Sequence, residues 1–198
     1  METFQAFAQP WWVNLLVFIP LIAYLQWRGR GLALSWPRLA VTTVFAASFG
    51  YVEAAVVVYL RAASGLLPGY MGTLSEVARL SVQTYQQAQA GNQLPQSLAT
   101  VEVFREAATM FMLAAVALLA ARRTRERWAI FLWTFSVWDI SYYGALWATV
   151  RWPFSLTNQD VLFLIPVPWL SQVWFPLLVS TLTMLGVSLA RTKGQKSP

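Results

Sequence analysis

The chain has 198 residues, of which 58% are hydrophobic and only 11% are charged, and its formal net charge is +6. Because soluble domains carry about 25% charged residues, this balance indicates a membrane protein. Cysteine and histidine are both absent, which excludes disulfides, thiol nucleophiles, Fe–S clusters, His- or Cys-ligated haem and zinc, and Ser-His hydrolase triads.

Five apolar blocks follow one another along the chain, and at about 20 residues each is long enough to cross a hydrocarbon core of roughly 30 Å. The first has the position of a signal peptide, but no basic segment precedes it and no small-residue cleavage site follows it, so we expect a retained helix. The sequence thus predicts an all-α integral membrane protein, a bundle of about five transmembrane helices in one polytopic domain over residues 1–198. The predicted spans are residues 11–27, 37–60, 101–121, 128–150 and 169–190.

Basic residues are distributed unevenly between the two sides of this predicted bundle. One side holds Arg28, Arg30, Arg38, Arg122, Arg123, Arg125, Arg127, Arg191, Lys193 and Lys196. The opposite side holds only Arg61, Arg79, Arg105 and Arg151. The positive-inside rule then puts the N-terminus outside and the C-terminus in the cytoplasm, as expected for a multi-pass protein of the plasma (inner) membrane. The positive charge therefore indicates topology, and nucleic acid is not an expected partner.

Two irregular regions are predicted on the external side. The longest connection, residues 62–100, has apolar spacing at its centre that fits a short amphipathic surface helix over residues 74–90, with a polar loop as the alternative. Ahead of the last span, Pro166 and Pro168 are incompatible with an unbroken helix. Residues 161–168 are therefore predicted to form a Pro-broken or re-entrant segment that is buried in protein or lines a cavity.

Acidic side chains lie inside three of the predicted spans. Helical rise puts Glu53 roughly 22 Å, Glu106 roughly 24 Å and Asp139 roughly 18 Å above the inner boundary. An unpaired carboxylate in hydrocarbon costs several kcal/mol, so these groups are expected to face inward and to pair, bind a cation or stay protonated. They are the candidate catalytic residues, suited to carboxylate acid/base chemistry.

The candidate binding residues lie beside these acids. Glu102, Arg105 and Glu106 share one helical stripe, and Tyr143 follows Asp139 by one turn. Arg105 is suited to hold an anionic group. The other binding candidates are Tyr142, Glu102 and Arg61, for which ordinary chemistry of the membrane interface is the alternative.

Two local patterns carry further structural predictions. Gly50 belongs to a ridge of small residues beside Glu53, which predicts close approach by a neighbouring helix. Asn158 and Asp160 precede the last apolar block, where such residues are typical helix caps.

Three functions are compatible with these residues, and whether the protein is an enzyme stays open. The first is an outward-facing intramembrane carboxylate/arginine/tyrosine site that binds a lipid headgroup, a small ligand or a cation, with or without acid/base chemistry. The second is a non-catalytic small subunit or assembly factor of a larger membrane protein complex. The third, a transporter component, is disfavoured because the five spans show no internal repeat and no polar groups in their inner half that would form a complete pathway in one chain.

Partners and cofactors follow from the same residues. The expected partners are the lipid bilayer and either other membrane subunits or a second copy of the chain. No cofactor is identified, and the identity of any metal is unknown. A divalent cation held by carboxylates alone, such as Mg²⁺, Ca²⁺ or Mn²⁺, is the metal hypothesis that remains.

Overall fold

The computed structural model describes residues 4–65 and 96–191, without the side chains of residues 61–65 and 96–99. Within these ranges the five predicted helices are confirmed, and the first is preceded by the 3₁₀ helix Trp11–Val17. The predicted surface helix over residues 74–90 lies outside the described residues. The elements are α1 (Phe18–Arg28), α2 (Trp36–Gly65), α3 (Gln96–Ala120), α4 (Thr124–Val150), β1 (Gln159–Phe163), β2 (Trp169–Gln172) and α5 (Trp174–Ala190).

The segment ahead of α5 corrects the all-α prediction. The prolines of this segment prevent a helix, as predicted. The segment instead forms an antiparallel hairpin in which Asp160 pairs with Ser171 and Val161 pairs with Leu170. β1 contains a run of branched and aromatic residues, which favours a strand. α5 consequently begins at Trp174 rather than at residue 169. The described part of the chain is mostly helical with one two-stranded sheet.

The N-terminal segment lies along the free edge of this hairpin. The backbone N–H of Gln9 donates to the Leu170 carbonyl at 2.8 Å, and the Leu170 N–H donates back to the Gln9 carbonyl at 2.7 Å. The Gln5 N–H also donates to Oε1 of Gln172 at 2.9 Å. The edge of β2 is thereby covered by the chain itself.

The predicted ridge of small residues on α2 is confirmed as a close helix contact. A Cβ added at Gly50 would lie 2.6 Å from the carbonyl oxygen of Trp138 on α4, and 2.9 Å from the Cβ of Ser141. Further along the same pair of helices, the Trp133 indole N–H donates to Oγ1 of Thr43 at 2.8 Å. The packing of α2 on α4 fixes the relative heights of their acidic residues.

Substitution of Gly50 by alanine is expected to lower the free energy of unfolding by about 1–3 kcal/mol, because the added methyl group must displace the α4 backbone. Gly144→Ala on α4 is the matched control, since nothing lies within 4 Å of its added Cβ. The control is expected to be neutral or to stabilise by up to about 1 kcal/mol. Unfolding both variants with denaturant in mixed micelles compares them, and equal effects would contradict close packing at Gly50.

The basic loops meet at one end of the bundle. The Leu32 N–H donates to the Ala190 carbonyl at 2.9 Å, which joins the α1–α2 loop to the end of α5. The guanidinium of Arg191 lies 3.6 Å from the ring centroid of Trp36. One hydrophobic cluster contains residues from the corresponding ends of all five helices, among them Trp27, Leu39, Ala117, Ala129 and Ala190.

The helices combine polar side chains on their buried faces with apolar side chains on their outward faces. Their buried faces carry many polar side chains, including Thr42, Glu53, Glu106, Thr109, Thr134, Asp139, Ser180 and Thr183. Their outward faces carry exposed apolar ones, including Val41, Val44, Val52, Phe104, Phe111, Leu119, Leu182, Leu185 and Leu189. Among the described residues, the stretches Trp36–Leu60 and Thr100–Ala120 are long and apolar enough to cross a membrane, and Trp174–Ala190 is a shorter apolar helix.

Candidate functional site

A cavity of about 170 Å³ lies between α2, α3, α4, α5 and the hairpin. Seven of the eight predicted site residues line it: Glu53, Glu102, Arg105, Glu106, Asp139, Tyr142 and Tyr143. The eighth, Arg61, has a side chain outside the described residues. The sequence predicts similar heights for Glu53, Glu106 and Asp139 on three helices, and the fold brings these three acids around one space.

In the cavity lining, Arg105 on α3 lies between two carboxylates. Its Nη2 and Nε donate to Oε2 of Glu102 at 2.7 and 3.1 Å, and its Nη1 donates to Oε2 of Glu53 on α2. The Thr109 hydroxyl donates to the other Glu53 oxygen at 2.8 Å. Both oxygens of Glu53 are therefore occupied, and the group joins α2 to α3.

Glu106 holds the hairpin against α3. The backbone N–H of Leu164 donates to both oxygens of the Glu106 carboxylate, at 2.9 and 3.1 Å. Leu164 follows β1 directly and also lines the cavity. A hydrogen bond to a charged acceptor is about twice as strong as a neutral one, so this contact anchors the wall that the hairpin forms.

Removal of this acceptor is expected to loosen the hairpin. In Glu106→Ala, the Leu164 amide loses its partner, and its hydrogen exchange should accelerate by roughly tenfold, the equivalent of the ~1.5 kcal/mol that a charged hydrogen bond contributes. Glu106→Gln is the matched control, because its side-chain oxygen still accepts. Hydrogen–deuterium exchange over residues 159–172 measures the effect. Protection that is unchanged in both variants would contradict the anchor.

Two further carboxyl groups line the same cavity, those of Asp139 and Asp160. The Ser180 hydroxyl on α5 donates to Oδ2 of Asp139 on α4 at 2.8 Å. The Tyr143 hydroxyl, one turn beyond Asp139, donates to Oδ2 of Asp160 on β1 at 2.8 Å. Both acids are almost fully buried. These bonds join α4 to α5 and to the hairpin.

The predicted caps at Asn158 and Asp160 are wrong. Neither caps a helix, because α5 begins only at Trp174. Oδ1 of Asn158 instead accepts the Ser155 N–H at 2.8 Å in the turn before β1. Asp160 lines the cavity. Its position just before the apolar, strand-like residues 161–163 is the feature of the sequence that could have indicated a strand rather than a helix cap. Ser180 was also missed, since a lone serine in an apolar helix is common.

Aromatic rings form much of the remaining wall. Trp138 and Tyr142 stack with centroids 6.1 Å apart, and Tyr142 and Tyr143 meet edge to face at 5.3 Å. On the hairpin side, Phe163 and Trp169 lie 5.4 Å apart. The aliphatic and other aromatic members of the wall are Leu16, Val57, Leu60, Phe135, Val161, Leu162, Leu164, Phe175, Pro176 and Val179. The cavity thus combines an apolar wall with several acidic groups.

The described lining contains five carboxyl groups and one guanidinium. The carboxyl groups belong to Glu53, Glu102, Glu106, Asp139 and Asp160, and the guanidinium belongs to Arg105. Within residues 4–65 and 96–191, no three acidic residues lie close enough together to hold a metal ion, so the geometry gives the carboxylate metal hypothesis no support. No protein-family model, curated protein or solved structure matches the chain.

Proposed function

We propose that this chain is a multi-pass membrane protein whose cavity binds the polar part of a small amphiphile, such as a lipid headgroup. The observation that carries the proposal is one cavity of about 170 Å³ that joins apolar walls to hydrogen-bonded carboxyl groups contributed by four elements. Ligand sites in proteins have this character, mostly apolar with a few convergent polar groups.

The distribution of side chains supports a membrane environment. Exposed apolar residues cover the outward faces of α2, α3 and α5, whereas a soluble monomer rarely exposes large contiguous apolar patches. Buried polar groups face the interior and pair there, as they do in helix bundles surrounded by lipid. The helices α2 and α3 contain stretches long enough to span a bilayer.

The arrangement of charge supports the proposed orientation. The α1–α2 loop, the α3–α4 loop and the end of α5 carry arginines and meet at one end of the bundle. The positive-inside rule makes that end cytoplasmic in the plasma membrane. The cavity lies toward the other end of the helices, so its ligand would enter from the external side or from the outer leaflet.

The dimensions of the cavity favour a small group. Apolar cavities of about 150 Å³ take up a benzene-sized molecule. A space of about 170 Å³ therefore suits a headgroup and its nearest carbons rather than a whole lipid. The rest of an amphiphile would remain outside the cavity.

Native mass spectrometry of the protein extracted in mild detergent tests this proposal. The wild-type protein is expected to carry a bound amphiphile. Val57→Phe, at a lining position that is 7% exposed, should lose it because the larger ring fills the cavity. Val52→Phe is the matched control on the same helix, at an outward position that is 52% exposed, and should retain the ligand.

Two results would contradict the proposal. A wild-type protein that carries no small molecule, or equal retention in Val57→Phe and Val52→Phe, would show that the cavity is not the binding site. If the only bound species are other protein subunits, the chain acts as a subunit of a larger complex instead.

A further inference from the structure

The charges around the cavity do not balance within the described lining. Glu53 and Glu102 share the guanidinium of Arg105. Glu106 and Asp139 receive hydrogen bonds from an amide and a hydroxyl, which are neutral donors. Burying ionised carboxylates without a counter-charge is costly. A positively charged ligand would offset that cost.

Asp139 has unused capacity for such a ligand. Asp139 is 8% exposed and lines the cavity. Within the described residues, its side chain takes part in one hydrogen bond, which Oδ2 accepts from Ser180. An ionised carboxylate has about four acceptor positions. Oδ1 of Asp139 receives no hydrogen bond from those residues, and the Asp139 side chain lines the cavity.

The aromatic wall is suited to the same kind of ligand. Trp138, Tyr142 and Tyr143 line the same cavity as Asp139. Tyr142 and Tyr143 lie three and four residues beyond Asp139, on the same face of α4, and Trp138 stacks on Tyr142. The faces of tryptophan and tyrosine attract cations within about 6 Å of the ring centroid, and clusters of such rings bind quaternary ammonium groups.

We propose that the cavity binds an alkylammonium group, with Asp139 as its counter-ion and the Trp138, Tyr142 and Tyr143 rings as its cage. This inference rests on the proposed function, because it names the chemical class of the polar group that the cavity holds. The ammonium belongs either to a zwitterionic lipid headgroup or to a free ammonium compound from the external side. Both present the same group to the cavity.

Choline and 3,3-dimethyl-1-butanol provide the decisive pair of probes, since they have nearly the same shape and differ in charge. Isothermal titration calorimetry is performed on the full-length protein in phosphatidylglycerol nanodiscs, which contain no ammonium lipid. Choline is expected to bind at least tenfold more tightly than the alcohol. Equal binding of the two probes would overturn the inference.

Variants assign the binding to particular residues. Asp139→Asn keeps an acceptor for Ser180 but removes the charge, and should weaken choline binding at least tenfold. Glu126→Gln is the matched control, because Glu126 is a buried acid on the same helix that does not line the cavity. Tyr142→Leu should also weaken binding, and Tyr142→Phe should restore it. If Asp139→Asn binds choline with wild-type affinity, the inference is overturned, because such binding also shows that the variant is folded.

A second lipid composition distinguishes the two sources of the ammonium. In phosphatidylcholine nanodiscs, apparent choline affinity should fall if the lipid headgroup occupies the cavity, and should stay unchanged if the ligand is a free compound. Failure of the inference is separable from failure of the proposed function. Equal binding of both probes would reject only the inference that the ligand is an ammonium compound. Equal ligand retention in Val57→Phe and Val52→Phe, measured by native mass spectrometry, would reject the proposal that the cavity is a binding site.

Discussion

Arg105→Met is expected to lower the free energy of unfolding by about 3–5 kcal/mol, since it removes one partner of a buried ion pair and leaves charged groups without compensation. Arg105 is bonded to Glu53 and Glu102, and Glu53 is almost fully buried between α2 and α3. Methionine preserves most of the apolar stem, so lost packing contributes little. Unfolding with denaturant in mixed micelles measures the change.

The matched control is Arg122→Met, which removes an exposed arginine just beyond the other end of the same helix. We expect this control to change stability by less than about 0.5 kcal/mol. The double variant Arg105→Met with Glu53→Gln should recover part of the loss, because the buried charge is removed together with its partner. Additive losses in the double variant would contradict a coupled pair.

Trp152→Ala is expected to cost about 3–5 kcal/mol, the usual range for removing a fully buried aromatic ring. Trp152 is 0% exposed, and its ring lies 6.2 Å from that of Tyr143 between the end of α4 and the hairpin. The cavity that alanine leaves would also release Tyr143 from its position beside Asp160. Ligand retention in native mass spectrometry should therefore fall together with the unfolding midpoint.

Trp147→Ala is the control for this substitution. Trp147 lies near the same end of α4 but is 55% exposed, and its main described contact is the guanidinium of Arg151 at 4.8 Å from its ring centroid. Such an exposed cation–π contact contributes about 0.5–1 kcal/mol. If Trp147→Ala destabilised the protein as much as Trp152→Ala, the Trp152 ring would have no special role in supporting the hairpin.

Much of the site was predictable because helical rise and helical stripes are local properties of a sequence. The heights of Glu53, Glu106 and Asp139 follow from counting residues from the nearest arginines, and these three acids do line one cavity. The close approach at Gly50 follows in the same way from the spacing of small residues. Local periodicity therefore determines which faces of the helices meet.

The hairpin was not predictable by these means, because strand pairing depends on partners that are distant in sequence. The edge of β2 is covered by Gln9, and the wall of the cavity depends on a bond between Glu106 and the backbone of Leu164. A backbone amide leaves no signature in the sequence that identifies its acceptor. For the same reason Asp160 was interpreted as a cap, although its partner is Tyr143 on another element.

The reactivity of single cysteines tests the central claim, a ligand cavity inside a membrane-embedded bundle, most directly. The chain has no native cysteine, so Val57→Cys in the cavity wall and Val52→Cys on the outward face each introduce one thiol. Maleimides react with thiolates, which form in water and not in hydrocarbon. Without a surrounding membrane, the cysteine at residue 52 would be modified faster, because Val52 is 52% exposed and Val57 is only 7% exposed.

The account predicts the reverse order in intact membranes treated from outside with a membrane-impermeant maleimide. Val57→Cys should be modified and should be protected by saturating dodecyltrimethylammonium, whereas lipid should keep Val52→Cys unreactive. Rapid modification of Val52→Cys, with Val57→Cys unreactive whether or not the amphiphile is present, would contradict both the membrane environment and the ligand cavity.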